Sequence, residues 1–89
     1  MKSRTTRRFR KALARLPEQV KLQARQAYER FLEDPRHPSL QVKKVHPNLP
    51  IYSARISRDY RAVAVVEGDE WVWFFVGSHA EYASMLGEL

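Results

Sequence analysis

Apolar residues recur along this chain at two different periods. In the first third the spacing is helical: Phe9, Leu13 and Leu16 fall at i, i+4 and i+7, and Val20, Ala24, Ala27 and Phe31 form a second stripe. Thr5 or Thr6 is placed to cap the first helix, Pro17 ends it or opens the next, and Pro35 stops the second. The spacing therefore predicts a second helix over 18–32, joined to the first as an antiparallel hairpin. Ala12, Ala24 and Ala27 are small enough to permit close packing between the helices or against a sheet.

Beyond Pro35 the period changes to two. A connector, Asp34-Pro-Arg-His-Pro-Ser39, leads to a short strand over 40–45, where Lys43 and Lys44 suit an edge, and then to a loop at 46–50. The next strand alternates Tyr52, Ala54 and Ile56 with Ser53, Arg55 and Ser57, and two more are expected over 60–66 and 71–76. Gly68-Asp69 is a two-residue hairpin turn that sets Val66 opposite Trp71, Ala64 opposite Trp73 and Ala62 opposite Phe75. The other face would carry Arg61, Val63, Val65, Val72, Phe74 and Val76, so both faces need cover. Gly77-Ser78 leaves the strand, and His79 opens a short helix with Tyr82, Met85, Leu86 and Leu89 at helical spacing. The expected class is α+β: a helical hairpin on a twisted, mainly antiparallel sheet of about four strands, with a short C-terminal helix, in a single domain spanning 1–89.

Charge adds a partner to this picture. The net charge is +6, and Lys2, Arg4, Arg7, Arg8, Arg10, Lys11 and Arg15 all precede the first acid, Glu18. Nucleic acid or an acidic protein is the expected counterpart; an anionic lipid surface, or mere solvation of a helix face, would accommodate the same charge. With no cysteine, disulfides and thiolate chemistry are excluded. No apolar run approaches a membrane span, the basic N-terminus lacks the apolar core of a signal peptide, and a cytoplasmic location is expected.

Two constellations carry candidate chemistry. A three-residue loop at Ser57-Arg58-Asp59 would pair Ile56 with Tyr60 and set Arg55 beside Arg61, and is preferred; a two-residue loop would set Arg61 opposite Ile56. Adjacent guanidiniums are unfavourable unless an anion lies between them, which points to a phosphate or carboxylate site. The alternative is pairing with Asp59, Glu67 or a helix carboxylate. The second constellation is His79 with Tyr82, three apart at a strand-to-helix junction: an imidazole for proton transfer beside a hydroxyl that donates or orients. Their structural alternatives are a loop or cap histidine and a core tyrosine. Trp71, Trp73, Phe74 and Phe75 have the ring faces to stack bases, or to form core. His37 and His46 lack the companion ligands of a metal site, and there is no glycine-rich phosphate loop or serine elbow.

The order of elements and the segment YSARISRDYRAVAVVEGDEWVWFFVGSHAEY, with the N-terminal SRTTRRFRKALARLP and the central HPSLQVKKV, resembles the RelE/ParE superfamily of type II toxin–antitoxin toxins, in a ParE-like, RelE-fold subgroup. The resemblance implies a RelE-like fold, an acidic cognate antitoxin, and, for RelE-type members, cleavage of messenger RNA on the ribosome by attack of a 2′-hydroxyl on the adjacent phosphate, with no cofactor or metal. It assigns Arg61 to the scissile phosphate, Arg55 to a second phosphate or transition-state contact, His79 to general acid or base, and Tyr82 to orienting or stacking on the reacting nucleotide. Ser53, Lys43, Lys44 and Arg58 are the expected RNA contacts. Ser53 and Arg55 stand where RelE carries two lysines, and arginine is a poor general base. His79 stands where relatives carry arginine or histidine, and the superfamily's N-terminal strand is short or missing. ParE-type members lack the nuclease residues and poison DNA gyrase, so the resemblance leaves gyrase inhibition, or an inactive RNA- or protein-binding module, as alternatives.

Overall fold

The computed structural model describes residues 1–89. In chain order the elements are β1 (Lys2–Thr5), α1 (Arg7–Ala14), α2 (Glu18–Glu33), a 3₁₀ turn (Pro38–Leu40), β2 (Lys43–Lys44), β3 (Ile51–Ser57), β4 (Tyr60–Glu67), β5 (Glu70–Ser78) and α3 (His79–Gly87). The sheet has five strands in the order β1-β5-β4-β3-β2, with β1 parallel to β5 and the other pairs antiparallel. The N-terminal strand, short but present, makes up the difference from the expected four. No helix is long and apolar enough to cross a membrane.

Side-chain hydrogen bonds hold β1 in place, since its sequence, KSRT, offers little apolar surface. Trp73 Nε1 donates to Ser3 Oγ at 3.0 Å, and Ser3 Oγ shares a 2.8 Å hydrogen bond with the Tyr28 hydroxyl, linking β1, β5 and α2. Thr6 then caps α1 by accepting from the Phe9 N–H, while its own N–H and hydroxyl donate to the Trp73 carbonyl. The helix ends at Ala14, short of Leu16, which nonetheless packs on the core.

Two layers cover the sheet, one on each face. Phe9, Ala27, Phe31, Ala54, Ala62, Ala64, Trp73 and Val76 form the core under α1 and α2, with Leu40 at its edge. Phe31 is wedged edge-on between Trp71 and Trp73, ring centroids 5.1 and 5.2 Å away. On the other face Ile51 and Val63 meet Tyr82 and Met85 of α3, with Phe74 and Phe75 beside them.

Three expectations are corrected. The 40–45 strand shrinks to Lys43–Lys44, because Leu40 closes a 3₁₀ turn and Gln41 takes a left-handed conformation (φ 45°). Gly68-Asp69 does close its hairpin, with Val66 opposite Trp71 and Ala64 opposite Trp73, but a bulge then inserts one residue into β5 and Ala62 faces Val76 instead of Phe75. The bulge puts Phe74 and Phe75 together on the α3 face and returns Val76 to the helical-hairpin face. The β3–β4 turn is neither of the two alternatives: Ser57 pairs with Tyr60, leaving Arg58-Asp59 as the loop, and an irregularity at Ile56 restores Arg55 opposite Arg61.

Candidate functional site

Arg55 and Arg61 are direct cross-strand partners near the β3–β4 turn, so their Cβ atoms share one face of the sheet. The ion pairs of the molecule are Arg4–Glu70 and Lys21–Glu18; neither arginine of the site takes part in one. They differ in what holds them. Arg61 turns back on its own hairpin: Nη1 donates to the carbonyls of Ser57 at 2.8 Å and Tyr60 at 3.1 Å, with that of Arg58 at 3.5 Å. The half-buried Arg55 has no side-chain hydrogen bond. Arg58, at the tip of the turn, is exposed.

The next strand brings the junction with α3 alongside. Arg61 lies opposite Gly77 and Tyr60 opposite Ser78, and the His79 N–H donates to the Asp59 carbonyl at 2.7 Å, tying the start of α3 to the turn. Ser78 is the N-cap: its hydroxyl accepts from the Glu81 N–H, and Glu81 Oε1 accepts from the Ser78 N–H at 2.9 Å. These bonds, the backbone one foremost, hold the Glu81 carboxyl below the usual glutamate range. Gly77 leaves room for the box: a Cβ there would lie a tight 3.0 Å from both Glu81 Oε1 and Phe75 Cζ. His79 is exposed, with its ring centroid 6.1 Å from that of the buried Tyr82.

The structure thus gathers Arg55, Arg58, Arg61 and His79 around one end of the sheet, with Tyr82 beneath His79. Ser53 is 2% exposed and sits between Lys43 and Val63, in the row next to the arginine pair. Lys43 shares that face, whereas Lys44 is opposite Tyr52, on the other face, and its Nζ donates to the His46 carbonyl. Sequence reasoning missed Gly77 and Glu81, although Ser78-His-Ala-Glu81 has the S-x-x-E signature of a capping box.

Three helices on a mixed five-stranded sheet make an α+β fold that matches the structures of RelE toxins. The fold is similar to that of the RelB–RelE antitoxin–toxin complex from Methanococcus jannaschii (TM-score 0.74, 18% identity, covering 91% of this chain and 95% of that one). It is also similar to the toxin–antitoxin complex RelBE2 from Mycobacterium tuberculosis (TM-score 0.61, 22% identity, 88% and 96% covered). A copper-bound mutant toxin from Helicobacter pylori is comparable (TM-score 0.61, 22% identity, 91% and 97% covered). No curated protein matches the chain. The profile of the ParE-like toxin domain matches residues 18–84, and the chain belongs to that family, within the RelE/ParE superfamily of type II toxins.

Proposed function

We propose that this toxin is a ribosome-dependent messenger RNA endonuclease, neutralised by an acidic antitoxin that covers the arginine pair and the basic outer face of α1. The observation that carries the reading is the Arg55–Arg61 pair: two arginines directly opposite each other on adjacent strands, neither in an ion pair, at the end of the sheet where the exposed His79 is tied to the β3–β4 turn. A phosphodiester between them would relieve their repulsion and receive charge-assisted hydrogen bonds. In the reaction the 2′-oxygen attacks the adjacent phosphorus and loses its proton, the bond to the 5′-oxygen breaks, and that oxygen takes up a proton. The products are a 2′,3′-cyclic phosphate and a 5′-hydroxyl.

Arg55, whose guanidinium is not engaged by the hairpin, contacts a non-bridging oxygen and stabilises the charge that grows there. Arg61 holds the turn with Nη1 and offers its remaining N–H groups to the phosphate. His79 transfers the proton, as acid toward the 5′-oxygen or base toward the 2′-hydroxyl. Tyr82, buried below it, acts as a positioning residue that sets the imidazole ring. Arg58 and Lys43 extend the cationic track, and Ser53 packs beneath it. The messenger RNA, the ribosome and the antitoxin are parts of this proposal.

One observation favours a second reading, a toxin that binds DNA gyrase: the matching profile is of the ParE-like type. Primer extension on a defined message in a reconstituted translation reaction separates the two. The expected result is new 5′ ends with wild type only when ribosomes are present, and at least 100-fold fewer with His79→Ala. Intact messages under every condition, together with loss of gyrase supercoiling, would replace the first reading with the second.

A further inference from the structure

On the other face of the sheet, toward its opposite end, lies a recess with different chemistry. Trp71 is the second residue of β5 and Tyr52 the second of β3, both on the helical-hairpin face. From Arg61 to Val66, the partner of Trp71, there are five residues of strand, about 17 Å. The recess holds about 390 Å³ between these two rings and the connector after α2, with Arg36, His37, Gln41 and Val42 among its lining.

The rings are rigidly backed on one side and accessible on the other. Trp71 is edge-on to Phe31, stacked on Trp73 with centroids 5.9 Å apart, and tilted against Tyr52 at 5.1 Å; it is nevertheless half-exposed, as Tyr52 is. The rim supplies polar groups. His37 Nδ1 accepts from the Ser39 N–H at 3.2 Å and lies 2.8 Å from the Ser39 hydroxyl, so Nε2 is the ring nitrogen left for a ligand. The Asp34 carboxylate accepts the Arg36 backbone N–H, and the Arg36 guanidinium is exposed and in no ion pair. Gln41, the one non-glycine residue with positive φ (45°), caps the 3₁₀ turn and brings its amide to the rim.

An aromatic floor, an amide at the rim, and a guanidinium and an imidazole beside it match three parts of one ligand: a base to stack, a base edge to hydrogen-bond and a phosphate to neutralise. We infer that the recess formed by Trp71, Tyr52, Gln41, His37 and Arg36 is a second nucleotide-binding site. Its ligand is a nucleoside 5′-phosphate, free or as one residue of a single-stranded RNA. The site is independent of the cleavage chemistry proposed above, because it shares no residue with the arginine pair and lies on the other face.

The test follows the Trp71 indole N–H resonance of the full chain during titration with adenosine 5′-monophosphate, uridine 5′-monophosphate or a 2′-O-methyl oligoribonucleotide, which cannot be cleaved by 2′-hydroxyl attack. A saturable shift is expected. Saturation with the mononucleotides identifies a free nucleotide as a sufficient ligand; saturation with the oligonucleotide alone identifies a residue of a strand. Arg36→Glu, a surface change, is expected to weaken binding about tenfold, and Trp71→Phe, followed through backbone resonances of the rim, to weaken it while keeping a ring against Phe31. An unmoved Trp71 resonance with all three probes, or an equal response in wild type and Arg36→Glu, would overturn the assignment.

Discussion

The two arginines at the centre of the candidate site have unequal structural duties. Arg61 Nη1 satisfies carbonyls of the β3–β4 hairpin, so Arg61→Ala removes hydrogen bonds from a charged donor as well as a charge. At half exposure a loss of about 1 kcal/mol is expected, which for a protein of this size lowers Tm by about 4–8 °C in a thermal melt. Arg55→Ala removes no such bond and relieves a like-charge neighbour, so its stability should stay within about 0.5 kcal/mol of wild type. A melt in which the two variants unfold together would mean that the turn does not depend on Arg61. If the predicted difference holds, Arg55→Ala is the cleaner probe of cleavage, since loss of activity there cannot be assigned to a loosened hairpin. The opposition of the two arginines was legible only through the preference for a three-residue loop, and the structure reaches it by another route, a two-residue loop with an irregularity at Ile56. The inward folding of Arg61 was not legible, since it depends on the irregularity at Ile56 that brings the turn carbonyls within reach.

At the scale of elements, legibility followed how strongly one face of each segment was marked. The helices and the β4–β5 hairpin could be read from helical stripes and from Gly68, whose φ of 64°, with none positive at Asp69, gives the turn the pattern of type II′. The β5 bulge could not, because Trp71-Val-Trp-Phe-Phe-Val76 is apolar at every position and alternation then fixes no register. β1 was illegible for the converse reason: its attachment through Ser3 is polar, and depends on residues 25 and 70 positions away. The cap of α3 was written in Ser78 and Glu81, and it makes a pH prediction. The folded chain favours the Glu81 carboxylate, so its folded pKa lies below its unfolded one. Stability from this group is therefore fully present above the ordinary glutamate range and is lost as pH falls through the lowered folded value. Glu81→Gln keeps an acceptor and should remove this acid-dependent component while retaining most of the cap; Glu81→Ala should also fray the first turn of α3, at a cost of about 0.5–1 kcal/mol at neutral pH. The check is hydrogen exchange at the amides of the first turn of α3 between pH 7 and pH 3. A dependence of Glu81→Gln identical to that of wild type would assign the acid sensitivity to another carboxylate.

Across the whole molecule, 16 lysines and arginines face 10 acids, and the two ion pairs engage only Arg4 and Lys21 among the cations. The excess is not spread evenly. α1 has no acid in its first turn, and Arg7, Arg8, Lys11 and the following Arg15 are all exposed, whereas Arg10 is engaged by the Thr5 carbonyl and hydroxyl. At physiological ionic strength the screening length is about 8 Å, so charges on distant parts of the surface act separately while neighbours on one helix act together. An RNA that follows this face releases counterions in proportion to the phosphates neutralised, and its log affinity should fall linearly with log salt, by about 0.7 for each phosphate of a single strand. Replacing Arg7, Arg8, Lys11 and Arg15 with glutamine should then flatten that slope by about the same amount for each phosphate no longer neutralised, while leaving the fold intact, because none of the four is buried. Fluorescence anisotropy of an uncleavable oligoribonucleotide over a salt series measures the slope directly. An unchanged slope would remove α1 from the footprint and confine the electrostatic binding to the sheet. A flattened slope with cleavage abolished, and His79 intact, would make the helix the docking arm and the arginine pair the reacting end of a single RNA path.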